Sequence, residues 1–292
     1  MTTSKKILAG LDHKDYEHPF DKKALEALEK TPGLKKTGSF VVKHAVEKVY
    51  TVQFTGSNIK VTKNNYPRIY SLLEEACTIL CLEKKPDLYL QWGYNINGFT
   101  TGADNPLIVL NSGLIDLCTD DEILYVIGHE IGHIKSMHML YHMMAQCFSI
   151  IIDAIPGGGI IGAPLQLALC YWSRMSEFTA DRAGLLCSQS IESSTKAMMK
   201  MAGVPIKHFS DINYRAFLDQ AREFKTLDYN TMNKLIKFIS IMDQSHPWTV
   251  MRSSELLKWI NDGEYSKFVP SDPFFSKDSI SAKTTSSVLI KM

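Results

Sequence analysis

Hydrophobic residues recur every three to four positions through most of the chain, a spacing typical of amphipathic helices. The clearest helical segments that it predicts are 67–82, 120–142, 193–201, 211–224 and 229–242. Residues 1–40 add a polar leader and one short amphipathic helix, which Pro32-Gly33 ends. The pattern therefore predicts a mostly helical protein.

Shorter stretches are rich in β-branched and aromatic residues, as strands are. Residues 41–62 predict a strand that is interrupted at 56–58 and resumes at 59–61. A helix over 43–48 in front of that strand is the alternative interpretation. Residues 87–91 alternate between polar and hydrophobic positions and predict another strand.

A β-hairpin is predicted further along the chain. Residues 99–101 and 107–110 are two short hydrophobic runs, and the segment between them, GADNP, is made of turn-forming residues. With the predicted helices, these strands indicate an α+β fold that is mostly helical and contains a small antiparallel sheet.

The helix predicted over 120–142 carries the chemistry. It contains His129, Glu130 and His133 in the order HExxH. Residues four apart lie on the same face of a helix, so the two imidazoles can hold one metal ion. Glu130 lies beside them, as the general base of a zinc peptidase does. An accidental match in a plain core helix is the alternative, because HExxH occurs by chance in about one or two such chains per hundred.

Two glycines favour the metal site. Gly128 and Gly132 flank the histidine pair, although glycine inside a helix costs about 1 kcal/mol relative to alanine. Small residues at these positions would let another segment or a ligand approach the helix closely. A plain core helix does not need them.

The segment RMSEFTADRAG at 174–184 offers further ligands. Glu177 and Asp181 share one helix face by the same four-residue spacing. We expect Glu177 to be the third zinc ligand, which would leave an open position as catalytic sites do. We expect Asp181 to accept the proton on the far nitrogen of a ligand imidazole. The alternative is a solvated helix face with Arg174 and Arg182 as neighbours.

These motifs carry a family resemblance. GHEIGH, SEFTADRAG, the segment 97–123 and His246-Pro247 together resemble a soluble form of the HtpX-like and CAAX-prenyl-protease-type gluzincins, peptidase family M48. The resemblance implies a zincin-type fold with an active-site HExxH helix. It implies that the zinc ligands are His129, His133 and Glu177, that Glu130 is the general base and that Asp181 supports a ligand histidine. It also implies that His246 stabilises the oxyanion, and it makes Arg252 a candidate for oxyanion stabilisation or support.

A zinc peptidase also needs a place for its substrate. An extended peptide can pair with a sheet edge through main-chain hydrogen bonds, which demands little of its sequence. The resemblance implies that the region before the helix supplies that edge, and Asn97, Gly98 and Phe99 are the candidate substrate-binding residues. An ordinary core hairpin is the alternative.

Two more histidines follow the motif. If the helix continued to residue 142, His138 and His142 would lie about 180° and 220° around it from His129. Neither would then join the same metal ion.

Residues 147–171 form the most hydrophobic part of the chain. Asp153, Pro156, three glycines at 157–159 and Pro164 divide them into pieces too short to cross a bilayer. We expect a buried helix-turn-helix that returns Glu177 to the metal, and no transmembrane span. Peripheral membrane contact stays open as an alternative.

Composition narrows the function further. A formal net charge of +1 gives no argument for nucleic acid as a partner. The N-terminus has no run of signal-peptide length, and the six cysteines show no CxxC pairing. We therefore expect a cytoplasmic protein with free thiols.

The sequence predicts an N-terminal extension over 1–60 that could act as a lid, a catalytic domain over 61–270 and a Ser/Thr/Lys-rich tail over 271–292. The predicted function is a zinc-dependent metalloendopeptidase that cleaves extended or unfolded protein segments. A latent or non-proteolytic, chaperone-like peptide-binding protein on the same scaffold is the main alternative. A metal-dependent hydrolase of a non-peptide bond is another.

Overall fold

The computed structural model describes residues 5–153, 158–226, 249–270 and 272. Three predicted features lie outside these residues: the helix over 229–242, His246, and all of the tail except Asp272. The described part is mostly helical with one four-stranded sheet, which confirms the predicted α+β class. The helices are α1 (Pro19–Glu29), α2 (Leu34–Val41), α3 (Glu47–Ser57), α4 (Pro67–Ile79), α5 (Ser112–Leu117), α6 (Asp120–Lys135), α7 (Met139–Gln146), α8 (Phe148–Asp153), α9 (Gly158–Ser188), α10 (Ile191–Met201), α11 (Tyr214–Thr226) and α12 (Thr249–Asn261).

The strand predicted over residues 41–55 is wrong, because these residues are helical, and the alternative of a helix over 43–48 is the one observed. α2 continues through a π-helical segment, Val42–Val46, into α3. Val42, Val46 and Phe54 are buried at multiples of four residues, which is a helical spacing. Burial of this face outweighs the weak strand preference of valine. The strand predicted at 59–61 is present as β1 (Ile59–Lys60).

The sheet is mixed, not purely antiparallel as predicted. Its order is β1-β2-β4-β3, with β2 at Asp87–Gln91, β3 at Gly98–Thr101 and β4 at Leu107–Asn111. β3 and β4 form the predicted antiparallel hairpin, but β4 pairs with β2 in parallel. The fully buried β4 occupies the interior of the sheet, which leaves β3 at its edge.

Helix α6 runs through the main hydrophobic core. It begins with a capping box in which the Thr119 hydroxyl accepts from the Glu122 amide and the Glu122 carboxylate accepts from the Thr119 amide. It ends at Lys135, seven residues before the predicted end at 142. Met137 has a left-handed conformation (φ 55°) and redirects the chain into α7.

The glycines of α6 allow the close approach that their positions predicted. A Cβ atom at Gly132 would lie 2.6 Å from the Cβ of Ala183 and 3.1 Å from the Cα of Ala180, both on α9. Gly128 faces Cys187 at equally short range. The close contact of α6 with α9 therefore depends on glycine, which has no side chain, at both positions.

We expect Gly132→Ala to lower the free energy of unfolding by about 1 to 3 kcal/mol, because the new methyl group overpacks the contact with α9. Thermal unfolding measures this change. Gly56→Ala is the matched control, since nothing lies within 4 Å of its added Cβ and alanine favours a helix. Equal stability of Gly132→Ala and the unmodified protein would contradict a tight contact between the helices.

The described part of residues 147–171 includes two helices, α8 and the start of α9, in agreement with the predicted pair. Pro164 does not divide the segment as predicted, because α9 begins at Gly158 and runs through it. The connection at 154–157 is outside the described residues. Leu165, Leu169 and Trp172 of α9 are buried in a second hydrophobic cluster with α1, α2 and α7. Among the described residues, no helix is both long enough and hydrophobic enough to cross a bilayer.

All six cysteines lie in the described part, and all have free thiols.

Candidate metal centre

Three predicted metal ligands meet where α6 crosses α9. The Nε2 atoms of His129 and His133 are 3.2 Å apart. The Glu177 carboxylate reaches them from α9, with one oxygen 3.5 Å from His129 Nε2 and the other 3.3 Å from His133 Nε2. All three side chains are buried, with exposed fractions of 4% for His129, 5% for His133 and 1% for Glu177.

The geometry of the three donors fits a zinc ion. Four ligands at zinc bond lengths of about 2.1 Å are separated by about 3.4 Å in a tetrahedral arrangement. The three observed separations, 3.2, 3.3 and 3.5 Å, lie close to that value. Two imidazoles and one carboxylate are also the donor set of many catalytic zinc sites.

Asp181 contacts the ring nitrogen of His129 that does not face the other ligands. Its Oδ1 lies 3.0 Å from His129 Nδ1 and accepts a 2.8 Å hydrogen bond from the Tyr125 hydroxyl. Arg252 donates to Asp181 Oδ2 through Nε at 2.8 Å, and its Nη1 lies 3.6 Å from Glu177. These contacts leave His129 Nε2 directed to the other two ligands.

The buried charges favour a cation at the site. Burial raises the pKa of the Asp181 carboxyl, but Arg252 and His129 lower it more, so that it falls well below its ordinary value. Burial lowers the pKa of His129, but hydrogen bonds to Asp181 and Glu177 raise it to about 9. The two carboxylates therefore stabilise positive charge on His129.

We expect Arg252→Leu to reduce the free energy of unfolding by about 3 to 5 kcal/mol, because it leaves the Asp181 carboxylate buried without its cation. Urea denaturation of the protein measures this loss. In the control Tyr125→Phe, Asp181 loses one hydrogen bond from a neutral hydroxyl and keeps Arg252, so we expect a smaller cost of about 1.5 to 3 kcal/mol. Equal costs for the two variants would contradict the ion pair's role.

Glu130 lies beside the ligand pair and faces a cleft. The Thr100 hydroxyl of β3 donates a 2.6 Å hydrogen bond to Glu130 Oε2. Glu130 is 3% exposed, so its carboxylate opens only towards the cleft. Thr100 is a site residue that sequence reasoning missed, since no local pattern relates a strand threonine to a helix thirty residues later.

The cleft has a volume of about 550 Å³ and joins the metal site to the sheet edge. Of the predicted substrate residues, Asn97 and Phe99 line it, and Gly98 lies between them in β3, paired with Leu110. Tyr50 and Phe54 of α3 line the same cleft. The edge strand, the metal ligands and an aromatic wall are therefore brought together.

The positions predicted for His138 and His142 are wrong. Because α6 ends at Lys135, the chain turns back and both side chains lie beside His133. His138 Nδ1 is 3.0 Å from His133 Nδ1, and His142 Nε2 is 2.9 Å from the Ser176 hydroxyl. His133, His138 and His142 could hold a metal ion as a second set.

Two predicted site residues have different outcomes. Arg252 contacts Asp181, Glu177 and His129, which agrees with the support role implied for it rather than with an oxyanion role. His246 lies outside the described residues, so its role stays a prediction.

Comparison with known proteins agrees with the resemblance. Residues 64–260 match peptidase family M48. The chain is 32% identical over 266 residues to the plastoglobule-localized metallopeptidase 48, chloroplastic, of Arabidopsis thaliana, over 90% of this chain and 77% of that protein. It is 29% identical over 170 residues to a protease HtpX homolog of Syntrophobacter fumaroxidans, over 47% of this chain and 59% of that protein. A protease HtpX of Xylella fastidiosa is 34% identical over 82 residues, which are 26% of this chain and 28% of that protein.

The relatives thus match the chain to different extents. It spans most of the plant metallopeptidase and less than two thirds of the HtpX proteins. The matched family region includes α6 and the part of α9 that carries Glu177 and Asp181. The chain belongs to peptidase family M48.

Proposed function

We propose that this protein is a zinc-dependent metalloendopeptidase that cleaves extended or unfolded protein segments. The observation that carries the proposal is the convergence of His129, His133 and Glu177 next to Glu130, at a cleft bordered by an edge strand. Membership of a peptidase family and relatives named as proteases support the same chemistry.

His129 Nε2, His133 Nε2 and the Glu177 carboxylate would hold the zinc ion. When bound, zinc supplies Lewis acidity, which makes water more acidic and polarises a peptide carbonyl. Asp181 keeps the proton of His129 on Nδ1, so that Nε2 presents its lone pair to the metal.

Glu130 is the proposed general base. Its carboxylate faces the cleft and takes the proton of the attacking water, then delivers it to the leaving amine. The hydrogen bond from Thr100 fixes one carboxylate oxygen and leaves the other for this proton transfer. Because the carboxylate is already held in one orientation, no entropy is lost in ordering it during each turnover.

The sheet edge explains the proposed preference for extended segments. β3 has β4 on one side, and its other side is not paired with a strand of the described sheet. A substrate strand placed there would gain main-chain hydrogen bonds whatever its sequence. Most extended segments of a folded protein are already paired within its own sheets, so unfolded chains are the expected substrate class. Nucleic acid is not expected as a partner.

The direct test is hydrolysis of casein by protein purified without chelators. We expect peptides cut at internal positions, detected by mass spectrometry, and loss of cleavage after treatment with 1,10-phenanthroline. Restoring zinc should recover cleavage, whereas adding magnesium to the metal-free protein is the control and should not. Cleavage that survives complete removal of metal would contradict the proposal.

A non-proteolytic peptide-binding protein is the second candidate, because the cleft and edge strand alone suit capture of extended segments. It would bind unfolded casein with zinc present and release it intact. The Glu130 carboxylate, buried beside the ligands and open to the cleft, favours catalysis over this alternative, since simple capture does not need a base.

The cytoplasmic location stays a proposal. The plant relative is named for chloroplast plastoglobules, a different compartment, and so gives this location no support. Peripheral membrane contact through residues 147–171 is likewise proposed only as an alternative, and flotation with lipid vesicles tests it.

A further inference from the structure

A chain of hydrogen bonds connects the metal site to the N-terminal segment. His133 Nδ1 lies 3.0 Å from His138 Nδ1, and His138 Nε2 lies 3.1 Å from Asp21 Oδ2 in the first turn of α1. All three side chains are at most 5% exposed. Asp21 precedes the region that matches the peptidase family, which begins at residue 64.

The turn after α6 places His138 in this chain. The His138 amide donates to the His133 carbonyl and the Met137 amide to the Ile134 carbonyl, both at 3.0 Å, as in a Schellman motif. The left-handed position of that motif is normally glycine, but here it is Met137 (φ 55°). A strained residue of this kind persists where the surrounding contacts require the conformation. Its consequence is that His138 lies beside His133.

Asp21 is fixed independently of His138. The Thr179 hydroxyl of α9 donates a 2.6 Å hydrogen bond to Asp21 Oδ2. Asp21 Oδ1 is buried without a hydrogen-bond partner among the residues that the structure describes. A buried carboxylate with one unsatisfied oxygen is costly, and such groups are found where function retains them.

The metal site assigns the protons along this chain. If His133 binds the metal through Nε2, its Nδ1 carries the proton and donates it to His138 Nδ1. His138 must then carry its own proton on Nε2, which donates to Asp21. Each donor meets an acceptor, so one arrangement satisfies every contact.

The same assignment argues against a separate metal ion on His133, His138 and His142. His133 Nδ1 would have to lose its proton while Nε2 binds the first ion, and His138 Nδ1 would lose the hydrogen bond that it accepts. The hydrogen-bonded chain uses the same atoms without that cost.

We propose that Asp21, acting through His138, orients His133 for metal binding, so that the N-terminal segment is a working part of the metal centre. Asp21 and His138 are positioning residues. They fix the tautomer and ring plane of a ligand histidine as Asp181 does for His129, but through one additional imidazole. This inference rests on the proposed zinc site.

The test measures zinc affinity by competition with a fluorescent chelator. Loss of an outer partner of a ligand histidine typically weakens metal binding 10- to 100-fold. We expect Asp21→Ala and His138→Ala each to weaken zinc binding by about tenfold or more. In His138→Asn an amide oxygen can replace Nδ1 as acceptor, so we expect it to recover most of the affinity that His138→Ala loses.

Arg182→Gln is the matched control. Arg182 of α9 donates to the backbone carbonyls of Tyr16 at 3.1 Å and Glu17 at 3.0 Å, so it attaches the same N-terminal segment outside the hydrogen-bonded chain. We expect this variant to melt at a lower temperature and to bind zinc within about twofold of the unmodified protein. If the N-terminal segment were only a lid over the cleft, Asp21→Ala would leave zinc affinity as unchanged as Arg182→Gln does.

The outcomes separate two failures. If the unmodified protein binds no zinc, the proposed function fails and the inference fails with it. If it binds zinc but Asp21→Ala and His138→Ala bind as tightly, the inference alone is overturned. It is also overturned if Arg182→Gln weakens binding as much as they do, or if His138→Asn recovers nothing, because the effect is then one of general stability. An Asp21→Ala protein that does not fold leaves the comparison of the two His138 variants as the deciding one.

Discussion

Glu130→Gln is expected to abolish hydrolysis of unfolded protein while one zinc ion per chain remains bound. The three proposed ligand atoms belong to His129, His133 and Glu177, so the change leaves the proposed metal donors intact. Glutamine keeps the shape of glutamate and can still accept the Thr100 hydrogen bond, but it cannot take a proton from water. General-base catalysis typically contributes 10² to 10⁴ in rate, so we expect a loss of about 10³-fold or more.

Casein cleavage and zinc content are measured on the same preparations. Glu122→Gln is the control, because Glu122 is a second buried glutamate on α6 that caps the helix and pairs with Lys200 at 2.8 Å, away from the cleft. It should lose stability and keep activity. Cleavage by Glu130→Gln at the unmodified rate would remove Glu130 as the base, and loss of its zinc would make it a metal ligand instead.

Glu177→Ala is expected to lose both zinc and activity. Glu177 is 1% exposed and supplies the carboxylate that closes the ligand set from α9. Two histidines from one helix turn cannot by themselves complete a tight three-ligand site. We expect less than about one tenth of the unmodified zinc content after dialysis, and cleavage reduced with it.

Mass spectrometry of the purified protein measures that zinc content, and circular dichroism verifies that the variant is folded. Glu122→Gln again controls for loss of a buried carboxylate on α6, one that pairs with Lys200 instead of facing the candidate metal site. Full zinc content in Glu177→Ala would show that another set of side chains binds the metal, with His133, His138 and His142 as the candidates.

The sequence can predict that the candidate ligands meet in pairs, because the geometry within each pair is local. His129 and His133 share a helix face at any position in any fold, and the same holds for Glu177 and Asp181. Gly132 adds the long-range information that α6 must meet another segment, and Ala183 is found there. Two local patterns and one signal of close contact are enough to define the centre.

Errors arise where tertiary contacts decide the local conformation. The end of α6 has no glycine to mark it, since Met137 takes the left-handed position, and so His138 was expected on the wrong side. The valine-rich segment before β1 becomes helical because Val42 and Val46 are buried against neighbouring helices. The end of α6 has no signal within the segment itself, whereas for the valine-rich segment the alternative of a helix over 43–48 is the one observed.

Two partners of the site, Thr100 and Asp21, could not be read from the sequence. Thr100 meets Glu130 and Asp21 meets His138 across long chain separations, and an isolated threonine or aspartate carries no pattern. His246 is the reverse case, a residue known only through resemblance that lies outside the described residues.

The most direct test of the zinc centre is an anomalous difference map, from crystals of the protein purified without added chelator, recorded at the zinc absorption edge. We expect one strong peak about 2.0 to 2.2 Å from His129 Nε2, His133 Nε2 and a Glu177 oxygen. A peak among His133, His138 and His142 instead, or no peak in protein that cleaves casein, would contradict the proposed zinc centre.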